Sequence, residues 1–204
     1  MIRCTREGAR WTIVIDRPDK ANSLTAAMLH EMADIAEAAA GSAQVLVLTG
    51  TGKVFSAGAD IEAARAGLAT DPVWERLSGA LARLDALTVA ALNGTLAGGA
   101  FGMALACDLR VAVAEAKFFY PVMALGFLPQ PSDPARLAAL VGPARARLLL
   151  MGAAKITAQD ALAFGLVDRV VPREDLDEAV ASLTDAAAAA RPDHVAAIKR
   201  MTRI

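Results

Sequence analysis

Histidine, cysteine and aromatic residues are scarce in this sequence, and each scarcity removes a class of chemistry. Two histidines, His30 and His194, are too few to build a histidine metal centre, so no metal is expected. Cys4 and Cys107 have no metal-ligand spacing and cannot staple a disulfide scaffold, which fits a reduced, cytoplasmic compartment. Aromatics make up 4% of the chain against a hydrophobic fraction of 55%. The core must then be assembled from alanine, leucine and valine, and much helical surface is expected to be buried against other subunits. Neither sign of charge is in surplus. The 21 basic and 22 acidic residues are interspersed, for a net charge of −1, so no basic stripe offers itself to nucleic acid. Met1 to Glu7 contain no apolar stretch of the kind that targets secretion.

Charge is missing altogether from one segment. Between Asp85 and Asp108 twenty-two consecutive positions are uncharged, with Asn93-Gly94-Thr95-Leu96-Ala97-Gly98-Gly99-Ala100-Phe101-Gly102 at their centre. The length matches a membrane span, and Gly94, Gly98 and Gly102 have the small-residue spacing of packed membrane helices. Turn signals at Asn93-Gly94 and Gly98-Gly99, and apolar weight carried mostly by alanine and glycine, argue instead for a buried strand, a turn and a buried helix. No membrane partner is expected. Such a turn offers bare backbone N–H groups, which at a helix N-terminus suit an oxyanion better than a proton. It supplies no acid or base.

The rest of the chain reads as an α/β fold with a largely parallel sheet. Strands are expected at Trp11 to Asp16, Gln44 to Thr49, Thr88 to Leu92, Leu109 to Ala114 and Val167 to Val171. Helices are expected from Ala26 to Ala40 with Thr25 as N-cap, from Pro72 to Leu87, from Gly99 to Ala106, and through most of the chain beyond Pro134. At 204 residues this is one domain, a core over 1–171 followed by C-terminal helices over 172–204.

Several familiar motifs fail. Gly50-Thr51-Gly52-Lys53 is not a phosphate loop, because Val47 and Val54 stand where a glycine and a magnesium-binding hydroxyl are needed. Phe55 breaks a dinucleotide fingerprint. His30 belongs to a polar helix face with Glu31, Asp34 and Glu37, and His194 to a polar C-terminal patch, so both read as surface. Ser56 and Ser132 have no histidine near them in sequence for a hydrolase triad.

Two separated glycine-rich loops remain. Phe55-Ser56-Ala57-Gly58-Ala59-Asp60-Ile61 resembles the first signature loop of the crotonase superfamily of enoyl-CoA hydratases and isomerases. Asn93-Gly94 through Gly98-Gly99, ending in Ala104 to Ala112, resembles the second. Arg17-Pro18 with Ala21 to Leu24, then Leu125 to Pro129, then Thr157-Ala158 to Val167 follow in family order. The resemblance implies a spiral of ββα turns with a short C-terminal helical region, assembling as a homotrimer or a pair of trimers. It implies an acyl-CoA substrate, with no cofactor beyond the CoA thioester itself. It places the oxyanion-hole N–H groups on Ala57 and Gly99, and the CoA contacts at Ala21, Ala57, Gly58, Ala59, Asp60, Ile61 and Gly99. Asp60 has an alternative reading as the cap of the helix that follows it.

The sequence also departs from the family pattern. Family hydratases use two glutamates, and the matching positions here are Gly102 and Val122. Without them no evident group activates water or moves an α-proton, a contribution typically worth about 10²–10⁴-fold. Asp133, in Gln130-Pro131-Ser132-Asp133-Pro134, falls on a glycine position of the family and is a candidate relocated base. The alternative is that Ser132 or Asp133 caps the helix starting at Pro134. Tyr120 is a candidate to orient a carboxylate or a water, the alternative being a structural tyrosine. Relatives continue past the equivalent of Ile204, so residues 192–204, with Lys199 and Arg200, are expected to be what remains of a lid over the site. Two functions follow from these features. One is a lyase- or isomerase-like acyl-CoA enzyme that stabilises a thioester enolate and is not an ordinary hydratase, decarboxylation of a malonyl-type thioester being one such reaction. The other is a catalytically silent acyl-CoA-binding relative, serving as a sensor or partner subunit.

Overall fold

The computed structural model describes residues 1–202. The chain opens with strands β1 (Ile2–Glu7) and β2 (Arg10–Ile15), helix α1 (Ala26–Ala38), strands β3 (Val45–Gly50) and β4 (Val54–Ser56), and helices α2 (Ile61–Arg65) and α3 (Val73–Arg83). It continues through β5 (Leu87–Leu92), β6 (Thr95–Ala97), α4 (Phe101–Leu105), β7 (Leu109–Val113), β8 (Lys117–Phe119), and helices α5 (Val122–Leu125), α6 (Asp133–Val141) and α7 (Pro143–Leu150). Strand β9 (Ile156–Thr157), helix α8 (Ala158–Phe164), strand β10 (Arg169–Val171), and helices α9 (Leu176–Ala189) and α10 (Pro192–Met201) complete it.

The strands form two sheets. One has six strands in the order β1-β2-β3-β5-β7-β10, the other four in the order β4-β6-β8-β9. From β3 to α5 the path repeats one unit: a strand in the larger sheet, a short strand in the smaller sheet, then helix. Successive units add parallel neighbours to both sheets, which is a ββα spiral. Strand β2 alternates between half-buried and buried residues, with Trp11, Ile13 and Ile15 turned inward. Strand β3 buries Val45, Leu46, Val47 and Leu48 in succession, as expected of a strand covered on both faces. Helix α1 buries Met28, Leu29, Met32, Ala33 and Ala36 against α3, and Thr25 caps it by accepting the Met28 N–H at 3.3 Å. Helix α9 packs on β3, β5 and β7.

The uncharged run resolves into β5, β6, a 3₁₀ turn at Gly98–Ala100, and α4. Among the described residues no helix is long and apolar enough to cross a membrane. Helix α3 stops at Arg83, short of the expected Leu87, because Leu84 turns extended (ψ 128) and the chain enters β5. Two features escape the sequence reading: edge strand β1, whose residues are mostly exposed, and the whole smaller sheet, built from strands of two or three residues.

Candidate active site

Two buried asparagines hold the glycine loops. Ala21 and Asn22 both lie in the left-handed region (φ 50 and 53), which costs about 1–2 kcal/mol per non-glycine residue and must be offset locally. The Asn22 side chain accepts the Arg17 N–H at 2.8 Å and donates to the carbonyls of Thr51 (2.9 Å) and Val54 (2.7 Å). Ser56 Oγ donates to the Asn22 carbonyl at 2.8 Å and accepts the Gly58 N–H at 3.2 Å. Asn93 grips the same turn from the other side, accepting the Gly50 N–H at 3.0 Å and donating to the Gly52 carbonyl at 3.0 Å. The two loops therefore abut. Gly58 has φ +91, and a Cβ there would lie 2.9 Å from the Ala97 carbonyl oxygen and 3.3 Å from the Gly99 nitrogen. Only glycine satisfies both the conformation and the contact.

This geometry corrects the expected donor. The Ala57 N–H is consumed, donating to the Ala21 carbonyl at 3.0 Å. The Gly58 N–H goes to Ser56 Oγ, and the Asp60 N–H to the Leu24 carbonyl at 2.8 Å. Of the N–H groups from Ala57 to Asp60, only that of Ala59 has no acceptor among the described residues. Gly99 lies in the first turn leading into α4, where N–H groups lack intrahelical acceptors, and its own is likewise unbonded among the described residues. The free pair is Ala59 and Gly99.

Both residues line a cavity of about 550 Å³. Trp74 stands over Gly99, so close that a Cβ on Gly99 would meet its ring at 3.2 Å, and Trp74 Nε1 is fixed by the Leu68 carbonyl at 2.8 Å. Tyr120, Val122, Leu125 and Phe127 form further wall, while Ile61 and Leu128, 70% and 87% exposed, stand on its lining as well. Among the described residues Arg65 is the one charged residue on that lining. Ala57 and Ile61 border the cavity as well, whereas Ala21, Gly58, Asp60 and Asp133 do not. Asp60 caps α2 by accepting the Glu62 and Ala63 N–H groups and pairs with Arg17 at 2.9 Å. The Arg17 guanidinium, with those two N–H groups, holds its carboxyl below the ordinary range.

Asp133 is not the cap it resembles. Helix α6 begins at Asp133, yet Ser132 makes no side-chain cap; its Oγ and N–H go to Glu75 Oε1 at 2.8 and 3.1 Å. The Asp133 side chain, 1% exposed, points away from the helix end. Its Oδ2 accepts the Tyr120 hydroxyl at 2.8 Å, and its Oδ1 has no partner among the described residues. Burial pushes its carboxyl up to about 6; Tyr120 pulls the other way and Glu75 adds to the rise. Burial likewise raises the Tyr120 phenol, so it stays protonated. Tyr120 stacks on Phe101 of α4, with centroids 5.2 Å apart. Across this corner a Cβ on Gly102 would fall 2.8 Å from Asp133 Oδ1. The aspartate fills the space into which a side chain at 102 would grow.

The expected lid does not form over this cavity. Lys199 of α10 donates to Asp108 Oδ2 at 2.7 Å and to the Ala86 carbonyl at 2.8 Å, and Arg200 reaches Asp85 at 3.1 Å. Helix α10 borders a separate apolar cavity with Leu87 and Asp108 instead; residues 203 and 204 lie outside the described residues. His30 is exposed beside Arg76.

The enoyl-CoA hydratase/isomerase family model matches residues 6–203. The chain belongs to the enoyl-CoA hydratase/isomerase family. Carnitinyl-CoA dehydratase from Proteus mirabilis is 34% identical over 99% of this chain and 80% of its own length. Enoyl-CoA hydratase subunit I from Geobacillus kaustophilus superposes with a TM-score of 0.87 at 36% identity, covering 98% of this chain and 79% of that one. A Thermobifida fusca protein solved in complex with CoA superposes with a TM-score of 0.88 at 30% identity, covering 98% and 83%. In this family member Val122 lies on the cavity wall and Gly102 lies buried behind it. Sequence reasoning missed Trp74 and the loop-holding roles of Asn22 and Asn93. The Asn93-Gly94 turn signal was the only trace of the latter.

Proposed function

We propose that the protein binds an acyl-CoA thioester with its carbonyl oxygen between the Ala59 and Gly99 N–H groups and stabilises the enolate form of that thioester. The observation that carries this is the pair of unbonded loop N–H groups at the head of an apolar cavity. Negative charge appears on a thioester oxygen when the α-carbon loses a proton or another electrofuge. A preorganised donor there contributes roughly 3 kcal/mol of transition-state stabilisation. Close approach of two backbones leaves no side chain in the way. The cavity wall is mostly apolar, with Arg65, Tyr120 and Gln130 as its polar side chains, which favours an uncharged hydrocarbon acyl group over one bearing a cation. Hydration by paired glutamates is not the reaction, since Gly102 and Val122 offer no carboxylate.

Titration with acetoacetyl-CoA, followed by the ultraviolet band of its enolate, tests the reading. The band should grow with wild-type protein and be lost in Ala59→Pro and Gly99→Pro, each of which deletes one donor. Binding by calorimetry without the band would mean a CoA-binding protein whose hole is not set for an enolate. No binding would overturn the acyl-CoA reading.

A further inference from the structure

Among the described residues Tyr120 is the one that both borders the cavity and hydrogen-bonds a buried carboxyl. Its ring lies on Phe101, at the start of the helix whose entry turn carries Gly99. Its oxygen donates to Asp133 Oδ2 and accepts only a long bond, at 3.4 Å, from the Gln130 N–H. A phenol oxygen has two lone pairs, so one acceptor site remains. Behind it, Asp133 is sealed from solvent with one oxygen unpartnered among the described residues, an arrangement that costs stability and so calls for another explanation. The charged groups acting on the pair are Glu75 from α3, already engaged by Ser132, and Arg136 from α6; α4 brings the uncharged Phe101 and Gly102 against it. Among the described residues no other ionisable side chain on the cavity wall is placed to take a proton, because Arg65 stays a cation.

Resting on the enolate-stabilising function above, we propose that Tyr120 exchanges a proton with the α-carbon of the bound thioester, and that Asp133 is the positioning residue that takes up the phenol's own proton. In the forward direction the α C–H bond breaks and its electron pair moves onto the thioester oxygen held by Ala59 and Gly99. The released proton forms the O–H bond of Tyr120 as the phenol's own proton passes to Asp133 Oδ2. The products are an enolate and a neutral Asp133 carboxyl, and no further reactant is needed. Before reprotonation the Tyr120 hydroxyl exchanges its proton with solvent through the cavity it borders, and the two transfers then run backwards. The unpartnered oxygen and the absence of a side chain at residue 102 fit a carboxyl that must change its protonation state without reorganising its neighbours.

The test is deuterium incorporation at the α-carbon of butyryl-CoA in D₂O, read by mass spectrometry. Wild-type protein should incorporate deuterium at a rate that rises with pH and levels off above about 6, because Asp133 accepts a proton only when ionised. Tyr120→Phe and Asp133→Asn should each slow incorporation by about a hundredfold or more while still binding butyryl-CoA by calorimetry. Asp133→Asn should also abolish the pH step, which a merely structural role would leave in place. Tyr120→Phe exchanging at the wild-type rate would overturn the relay. So would wild-type protein that binds butyryl-CoA and shows the acetoacetyl-CoA enolate band yet leaves the α-carbon undeuterated. Absence of both binding and band would overturn the acyl-CoA reading and the relay with it.

Discussion

At the loop end of the cavity the polar groups are backbone, held by Asn22, Ser56 and Asn93; at the Tyr120 end they are side chains, one of them sealed behind the wall. The contrast separates two kinds of demand. Holding an oxyanion requires donors fixed in place, and backbone N–H groups on abutting loops provide them whatever side chains surround them. Moving a proton requires a group whose acidity is tuned, and only side chains offer that. The first kind of chemistry survives many substitutions; the second can be lost or relocated by a single one.

The comparison breaks most sharply at the loop end. Gly58→Ala should cost about 3–4 kcal/mol, from a left-handed alanine together with a carbonyl contact at 2.9 Å, and should erase the acetoacetyl-CoA enolate band. Denaturant melts and the band, measured together, check this; a stable Gly58→Ala protein with a normal band would mean the loops do not abut.

The side-chain end should respond to pH. The Asp133 carboxyl lies at about 6 in the folded chain against 3.8 ordinarily, so folding disfavours its ionised form. Its contribution is harmless below the lower value, erodes stability as pH rises between the two, and is fully adverse above the higher. Asp133→Asn should therefore be more stable than wild type at pH 8 by up to about 3 kcal/mol and indistinguishable near pH 3. Urea denaturation at the two pH values decides it. A variant less stable than wild type at pH 8 would show that the carboxylate is welcomed by groups not identified above.

The smallest effect sharpens the picture of the corner itself. Gly102→Ala should destabilise by about 1–2 kcal/mol through its contact with Asp133 Oδ1, and by clearly less in an Asp133→Ala background. Additive losses in that double-mutant cycle would mean the two positions are independent.

Legibility in the sequence followed the same division. The turns of the glycine loops were readable because the residues that let them abut, Gly58 above all, stand in the sequence itself. Helix α1 was readable from its apolar period and its Thr25 cap. Which loop donor is free was not, because the group that consumes the Ala57 N–H is a carbonyl at Ala21, brought there by the left-handed Ala21-Asn22 pair. Asp133 followed by Pro134 looks locally like a helix start, and the helix does begin there; its contact with Tyr120 depends on how the loop after β8 returns, which no local pattern encodes. Strand β1 was hidden by Arg3, Thr5, Arg6 and Glu7, polar residues suited to an exposed edge. The strands of the smaller sheet are too short for periodicity to register, and exist only because the larger sheet delivers them side by side.

The crowding between positions 102 and 133 also means that this corner changes over generations as a pair rather than one residue at a time. A side chain entering at 102 lands against the Asp133 carboxyl oxygen, so it is accommodated only as Asp133 swings aside or shrinks. A substitution at either position is therefore judged against the residue that stands at the other.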